Sequence, residues 1–380
     1  MGTMGRIAAL RFGRPVIGFP TSEFGGGAIR LLIAPVNYSA QATAWAAAAR
    51  EHLGVVAVNM AIEVPGGFDF PADLLVPQAT YHNDRDWQRR QFEAAASGAT
   101  HVLIEAQEPP FGRFLDRDVA RQAAALLDRG VNVAYIAHGT DVRLPSRHVQ
   151  RTPWSHYGAP GVYVPRLEHV AAKNVRFLES SGRPTFVSTP DLLVDLPWAR
   201  WCPVVVDVER WRRDRPDRSA SSRDLLRVAH TPSVAALKGT NLIEPAMLRL
   251  HEAGRICWHR ASGIPSRAMP ELFARTDVLL DQFRAGSYGV AAVEAMASGC
   301  VVVGHVLPDT RAAVLEATGL ELPIIEATPD TLEAVIHRLA EHPEEIDDLR
   351  RRGVDFVRAV HDGRRSAAVL GTWLGIEAVA

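Results

Sequence analysis

A chain of 380 residues is long enough for two domains, and its hydrophobic fraction of 47% and charged fraction of 22% are ordinary for a soluble globular protein. The formal net charge of −1 gives no reason to expect nucleic acid or an anionic membrane as an obligatory partner. The three cysteines lie far apart without a C-x-x-C pair, so they favour neither a disulfide framework nor a zinc site. No apolar stretch approaches the roughly 20 residues of a membrane span, and the first residues lack the apolar core of a signal peptide. We therefore expect a soluble, cytoplasmic protein.

Residues 1–24 are predicted to form an irregular lead-in, and the first domain is predicted to cover residues 25–212. Short apolar runs typical of strands alternate there with helical patterns. The predicted strands are residues 31–34, 55–60, 101–105 and 131–137. This alternation indicates a doubly wound parallel sheet. The turn after the first strand contains Ser39 and Gln41 and leads into an alanine-rich helix.

A polar run, His138-Gly139-Thr140-Asp141-Val142-Arg143, follows the predicted strand at residues 131–137. Polar side chains at the carboxyl end of a parallel strand lie where such sheets bind ligands. On residue type alone, however, a hydrogen-bonded structural role for His138 is the commoner outcome.

The residue composition of two later segments predicts irregular structure. Residues 147–157 are aromatic and basic without a clear period, and they could line an acceptor pocket or form a surface loop; we favour the loop. Residues 213–222 alternate arginine and aspartate with serine and proline, which predicts a solvated linker.

The second domain is predicted over residues 223–362, with strands at 225–229, 257–260, 278–280 and 301–303. Lys238 and Gly239 follow the first of these strands, and Ile264 follows the second. The tail, residues 363–380, is helical by pattern.

Residues 277–303 predict a strand, a glycine-bearing turn, a buried helix over residues 290–297 and a second strand. We predict Ser287 as the helix N-cap, and the free N–H groups at residues 287–290 suit a phosphate or diphosphate. Within this apolar helix, Glu294 is costly to bury without hydrogen-bond donors. It either accepts bonds from ligand hydroxyls, such as those of a ribose, or is held by a neighbouring arginine or backbone amide.

This unit resembles the hallmark of retaining GT-B glycosyltransferases of the family 4 type, in which a G-F-G-L turn leads into an E-A-M-A-x-G-x-P-V-V helix and strand. The run at residues 138–143 resembles the H-G-(S/T)-D-(I/V)-R run of the same enzymes. The resemblance implies a GT-B fold, in which two Rossmann-like doubly wound parallel-sheet domains face each other across a cleft. It also implies that the helical tail returns to the first domain.

The resemblance further implies roles for single residues. Glu294 would contact the nucleotide ribose, and His138 would lie beside the transferred sugar. The nucleotide-binding set would be Lys238, Gly239, Ile264, Ser287, Tyr288, Gly289, Val290 and Glu294, and the acceptor or sugar side would be Ser39, Gln41, Asp141, Arg143 and Gln282. The catalytic set would be His138, Lys238 and Asp281.

The sequence departs from the family pattern at two positions. The first of two hallmark glutamates falls on Gly286, and an expected arginine falls near Pro232 and Ser233. The donor-sugar pocket is therefore either relaxed for a larger sugar or completed by Asp281 or Gln282; we favour the second.

We accordingly expect a glycosyltransferase that moves a sugar from a nucleoside diphosphate sugar to an unidentified acceptor, with retention of configuration and without a metal or other cofactor. The expected partners are the nucleotide sugar and a small-molecule or glycan acceptor. A GT-B sugar-nucleotide epimerase and a catalytically inactive binding or scaffold protein are the alternatives.

Overall fold

The computed structural model describes residues 12–67, 70–213 and 225–376. The first eleven residues of the predicted lead-in, nearly all of the predicted linker (residues 214–222) and the last four residues of the tail lie outside the described part. None of the described helices is long and apolar enough to cross a bilayer.

The first domain is built on a parallel seven-stranded sheet with the order β3-β2-β1-β4-β5-β6-β7. Its strands are β1 (Arg30–Ala34), β2 (Val56–Glu63), β3 (Leu74–Pro77), β4 (His101–Glu105), β5 (Asn132–Ala137), β6 (Thr185–Val187) and β7 (Arg200–Trp201). Its helices are α1 (Gln41–Leu53), α2 (Gln78–Asn83), α3 (Arg85–Gly98), α4 (Val119–Leu127), α5 (Pro145–Arg151), α6 (Val164–Ser181) and α7 (Val208–Trp211).

The second domain is built on a parallel five-stranded sheet with the order β12-β11-β10-β8-β9. Its strands are β8 (Leu226–His230), β9 (Ile256–Arg260), β10 (Val278–Leu280), β11 (Val301–Gly304) and β12 (Ile324–Glu326). Its helices are α8 (Ala235–Lys238), α9 (Thr240–Glu252), α10 (Met269–Ala274), α11 (Val290–Ala297), α12 (Pro308–Thr318), α13 (Leu332–Glu341) and α14 (Glu344–Val360).

The point at which the strand order reverses indicates where each sheet binds ligands. The order reverses between β1 and β4 in the first sheet and between β8 and β10 in the second. Ligands bind at such reversals, beyond the carboxyl ends of the strands. The central strands β10 and β11 are buried along their whole length, as continuous apolar runs predict for a sheet covered on both faces. The predicted pair of doubly wound parallel sheets is confirmed.

A last helix, α15 (Arg364–Leu374), packs against α1 of the first domain. Its residues Leu370 and Leu374 are buried in the same cluster as Trp45. The chain therefore returns to the first domain after it has completed the second.

The prediction of a surface loop at residues 147–157 is wrong. The segment forms the end of α5 and a short 3-10 turn, and His148, Ser155, His156 and Tyr157 are buried. Its polar groups contact the second domain: His148 Nε2 lies 3.0 Å from the Ala285 carbonyl oxygen. These partners are distant in sequence, so local composition does not reveal them.

Candidate active site

A cavity of about 390 Å³ lies at the carboxyl edge of the second sheet. Both domains line it, the first through the turn after β1 and the second through the segments that follow β8, β9 and β10. The lining residues are Ser39, Phe70, Thr231, Pro232, Ser233, Lys238, Ala261, Gly263, Ile264, Ser266, Met269, Gln282, Gly289, Val290, Ala291 and Glu294. The cavity thus brings together Ser39, Lys238, Ile264, Gln282, Gly289, Val290 and Glu294 from the residues that the sequence indicated.

Glu294 lies on α11 with its side chain facing this cavity. Burial raises the pKa of its carboxyl group to about 8, although Arg210 and Lys238 pull it down. In the described part of the chain, no residue donates a hydrogen bond to this carboxylate. A desolvated carboxyl group without donors is a site that ligand hydroxyls would satisfy.

The N-terminus of α11 also opens into the cavity. The N-cap is Gly289, not Ser287 as predicted, and it makes no side-chain capping bond. Ser287 is instead buried in the turn. The N–H groups of Val290 and Ala291 therefore have no partner among the described residues, and they combine with the helix dipole to suit an anion.

Two other predicted nucleotide-binding residues, Tyr288 and Gly239, do not line the cavity. The Tyr288 side chain is buried in the core, and its hydroxyl lies 3.3 Å from His361 Nε2. Gly239 caps α8 with a φ of 80°, a conformation that glycine adopts without strain.

Lys238 and Asp281 form an ion pair of 2.6 Å between Nζ and Oδ1. The Asp281 side chain is 2% exposed, and its Oδ2 has no hydrogen-bond partner within the described ranges. Asp281 does not line the cavity, whereas the neighbouring Gln282 does. Gln282 Nε2 donates to the Ser287 carbonyl oxygen at 2.9 Å, which leaves its own oxygen available to a ligand.

Gly286, which aligns with the first glutamate of the resembled motif, has surroundings that leave no room for a side chain. Its φ is 67°, and a Cβ atom there would lie 2.5 Å from Leu307 Cδ1. The space beside Gly286 is filled by Leu307. Of the two residues expected to compensate, Gln282 is the one that reaches the cavity.

His138 lies at the carboxyl end of β5 in the first domain. Its ring is stacked on Trp45 with centroids 5.7 Å apart and meets Tyr38 edge-on at 5.3 Å. His138 Nε2 lies 3.3 Å from Glu105 Oε1, although the angle does not make a hydrogen bond. Glu105 is fully buried and accepts the Val36 N–H at 3.0 Å.

Sequence reasoning missed Glu105. The signal was a carboxylate at the last position of a buried strand, and its meaning depends on β4 and β5 being neighbours. Phe70 and Ser266 of the cavity wall were also missed, because neither belongs to a recognisable motif.

Three predicted residues hold loops together and do not line the 390 Å³ cavity. Asp141 accepts the N–H groups of His138 and Gly139, at 3.1 and 2.6 Å. Gln41 accepts the Val205 N–H at 2.7 Å. The buried Arg143 donates to Asp191 at 2.5 Å; burial alone would lower the pKa of its guanidinium, but Asp191 raises it.

No protein-family model matches the chain, and no curated protein matches it. Among solved structures, it is similar to sucrose-phosphate synthase from Thermosynechococcus elongatus, with 13% identity over 90% of this chain and 97% of that one and a TM-score of 0.57. It is also similar to HepE from Anabaena, solved in complex with UDP, with 11% identity over 92% and 100% of the two chains and a TM-score of 0.56. The catalytic domain of starch synthase IV from Arabidopsis thaliana, bound to ADP and acarbose, gives 11% identity, 92% and 99% coverage and a TM-score of 0.56. These neighbours are GT-B glycosyltransferases, and with its two parallel sheets this chain has the GT-B fold.

Proposed function

We propose that this protein is a glycosyltransferase that moves a sugar from a nucleoside diphosphate sugar to an acceptor. One observation carries the proposal: a single cavity combines Glu294, which has no hydrogen-bond donor among the described residues, with the uncapped start of α11 and with Lys238. A ribose needs an acceptor for its hydroxyls, and a diphosphate needs N–H donors and a cation. The cavity offers both.

The donor is assigned to the second domain. The diphosphate lies against the N–H groups of Val290 and Ala291 and the Lys238 ammonium, and the nucleobase lies against the backbone at Gly263 and Ile264. Negative charge grows on the diphosphate as the sugar leaves, so fixed donors placed there lower the barrier. Asp281 acts as a positioning residue, because its carboxylate holds the Lys238 ammonium.

The sugar is assigned to the space between Gln282 and His138. With Leu307 closing the space at Gly286, the Gln282 amide takes the place of the missing carboxylate. His138 faces the sugar from the first domain, with the Glu105 carboxylate 3.3 Å from its Nε2.

Retention of configuration and independence of metal belong to the same proposal. The leaving phosphate can take the acceptor proton, so no strong protein base is required. His138, Lys238 and the positioning residue Asp281 form no carboxylate pair of the glycosidase kind.

The test incubates purified protein with UDP-glucose and ADP-glucose, chosen because the similar structures hold UDP or ADP. Each reaction is run with and without a panel of hydroxyl acceptors, and with excess EDTA, and products are followed by mass spectrometry. We expect nucleoside diphosphate release that requires an acceptor and persists in EDTA. Conversion without an acceptor would instead indicate an epimerase, and binding without consumption would indicate a binding protein.

Two variants connect this test to the site. Glu294→Ala should weaken nucleotide binding by about 1.5–3 kcal/mol, the usual contribution of hydrogen bonds to a charged group. His138→Ala should lower turnover more than nucleotide affinity, because it faces the sugar. Unchanged nucleotide affinity in folded Glu294→Ala would remove the ribose assignment.

A further inference from the structure

A second cavity, of about 610 Å³, opens at the carboxyl edge of the first sheet. It lies between the segment that follows β4, the polar run after β5 and helix α6. Tyr38 lines this cavity, and the next residue, Ser39, lines the 390 Å³ cavity. The two cavities are therefore separated by one turn of the chain, beside His138.

The wall of the second cavity is aromatic and aliphatic. Tyr163 is 69% exposed, Tyr38 is 53% exposed and Val170 is 40% exposed, and all three line this one space. Large apolar side chains that are left in water around a concave surface mark a ligand site, and the volume suits a small organic molecule.

The floor carries an amide with unmet hydrogen bonds. Gln107 is 8% exposed, and neither its Oε1 nor its Nε2 has a partner among the described residues. The backbone of Ala106 and Gln107 is left-handed, with φ of 50° and 53°. A desolvated amide without partners costs free energy that a hydrogen-bonding ligand would partly recover.

The charges around the cavity do not favour a charged ligand. Arg166 and Glu108 contribute one guanidinium and one carboxylate, and Glu108 lies 3.5 Å from Arg117. The Asp141 carboxylate is already used by backbone N–H groups. With opposite charges on its rim, the cavity suits a neutral molecule.

We propose that this cavity binds the acceptor, and that the acceptor is a neutral, ring-bearing apolar alcohol, such as a phenol, and not a free sugar. This rests on the proposed glycosyl transfer. Tyr38 and Tyr163 pack against the ring system, and the Gln107 amide, which can both accept and donate, binds the hydroxyl. In the transfer, the acceptor oxygen bonds to the anomeric carbon, the bond from that carbon to the diphosphate breaks, and the hydroxyl proton goes to the departing diphosphate.

The test measures equilibrium binding, so it needs no turnover. The probes are 4-methylumbelliferone, 2-naphthol, the methyl ether of 4-methylumbelliferone, maltose and maltotriose. The variants are Tyr163→Ala and Gln107→Leu, with Trp198→Ala as the matched control, because Trp198 is an aromatic residue, 40% exposed, outside the cavity.

We expect both phenols to bind more tightly than either sugar, and Tyr163→Ala to weaken phenol binding about tenfold while Trp198→Ala leaves it unchanged. The wild-type protein should prefer 4-methylumbelliferone over its methyl ether, and Gln107→Leu should lose this preference. The proposal is overturned if the sugars bind more tightly than both phenols, or if Tyr163→Ala binds phenols as the wild type does.

UDP and ADP binding is measured on the same samples, which separates this proposal from the proposed function. Tyr163→Ala should keep its nucleotide affinity. If neither nucleotide binds the wild type but the phenols do, the proposed function fails while the second cavity is still a site for apolar alcohols. If nucleotides bind and phenols do not, only the acceptor class is wrong.

Discussion

Glu294 is expected to couple nucleotide binding to a proton. Its pKa of about 8 in the free protein reflects burial, and hydroxyl donors from a ribose would stabilise the carboxylate and lower that pKa. Binding below about pH 8 should therefore release a proton, and nucleotide affinity should rise from about pH 6.5 to 8. Calorimetry in two buffers of different ionisation enthalpy measures the release. Glu294→Gln should abolish it, and Glu316→Gln, on an exposed position of α12, should not.

The same carboxyl group should make the ligand-free protein less stable in alkali. In the unfolded chain this carboxyl group has its ordinary pKa of 4.5, whereas in the folded protein it stays protonated up to about pH 8. Because the pKa of Glu294 is higher in the folded than in the unfolded state, the contribution of Glu294 to stability falls as pH rises from 4.5 to about 8. Glu294→Gln should therefore unfold at a higher temperature than the wild type at about pH 9 and show no such gain at about pH 4. A gain of equal size at both pH values would contradict this account.

A double-mutant cycle can separate two roles of Lys238: it balances the buried charge of Asp281, and it binds the diphosphate. Lys238→Ala leaves the Asp281 carboxylate, 2% exposed, without its cation, and should cost about 3 kcal/mol of unfolding free energy. The double variant Lys238→Ala with Asp281→Ala should recover most of that stability, because no buried charge is left unpaired. Diphosphate affinity and turnover should stay low in both variants. Recovery of nucleotide binding together with stability would show that Lys238 only balances Asp281.

At the scale of single elements, the turn before α11 combines two separate constraints at Gly286. A left-handed backbone costs an L-residue roughly 1–2 kcal/mol, and the contact with Leu307 adds to that cost. Gly130 is the matched control, since its φ is 79° and nothing lies within 4 Å of a Cβ atom there. Gly286→Ala should therefore destabilise the protein more than Gly130→Ala. Leu307→Ala should recover part of the difference, measured by denaturant unfolding.

The β10–α11–β11 unit was predicted almost to the residue, because buried strands and an apolar helix leave a periodic signal that does not depend on the rest of the fold. Ser287 was wrongly predicted as the N-cap because residue type cannot show that the side chain is buried within the turn. Glu105 and residues 147–157 were missed or misread for a related reason. Their partners are set by strand order and by the second domain, which lie far away in sequence.

For the whole molecule, the important consequence is that α5 and the turn after it contact two loops of the second domain, one of which carries the donor site. Thr152 Oγ1 lies 3.1 Å from His305 Nε2, and Arg151 donates to Asp309 at 2.6 Å. Arg284 Nη1 donates to the Ser155 carbonyl oxygen at 3.3 Å. Residues 284–286 lie between Gln282 and Gly289 of the cavity wall, so a change in domain contact reaches the donor site within a few residues.

This interface should weaken in acid. Burial lowers the pKa of His148 to about 4 and that of His156 to about 3. The Ala285 carbonyl can only accept, so His148 Nε2 donates to it, and Nδ1 accepts from the Ser155 hydroxyl at 2.7 Å. Protonation of Nδ1 would reverse that second bond, so that the hydroxyl accepts, and would place a positive charge beside the Arg143 and Arg151 cations.

Because these folded-state pKa values lie below the ordinary 6.5, both histidines contribute stability above that pH and lose it as pH falls towards 4. We expect the thermal unfolding midpoint of the wild type to drop steeply between about pH 6.5 and 4.5. In His148→Gln the drop should be shallower, since a glutamine amide can donate to Ala285 and accept from Ser155 without titrating. His337→Gln, at a partly exposed position on α13, should follow the wild-type curve. If His148→Gln and the wild type lost stability in parallel over this range, the acid-sensitive element would lie outside the domain interface.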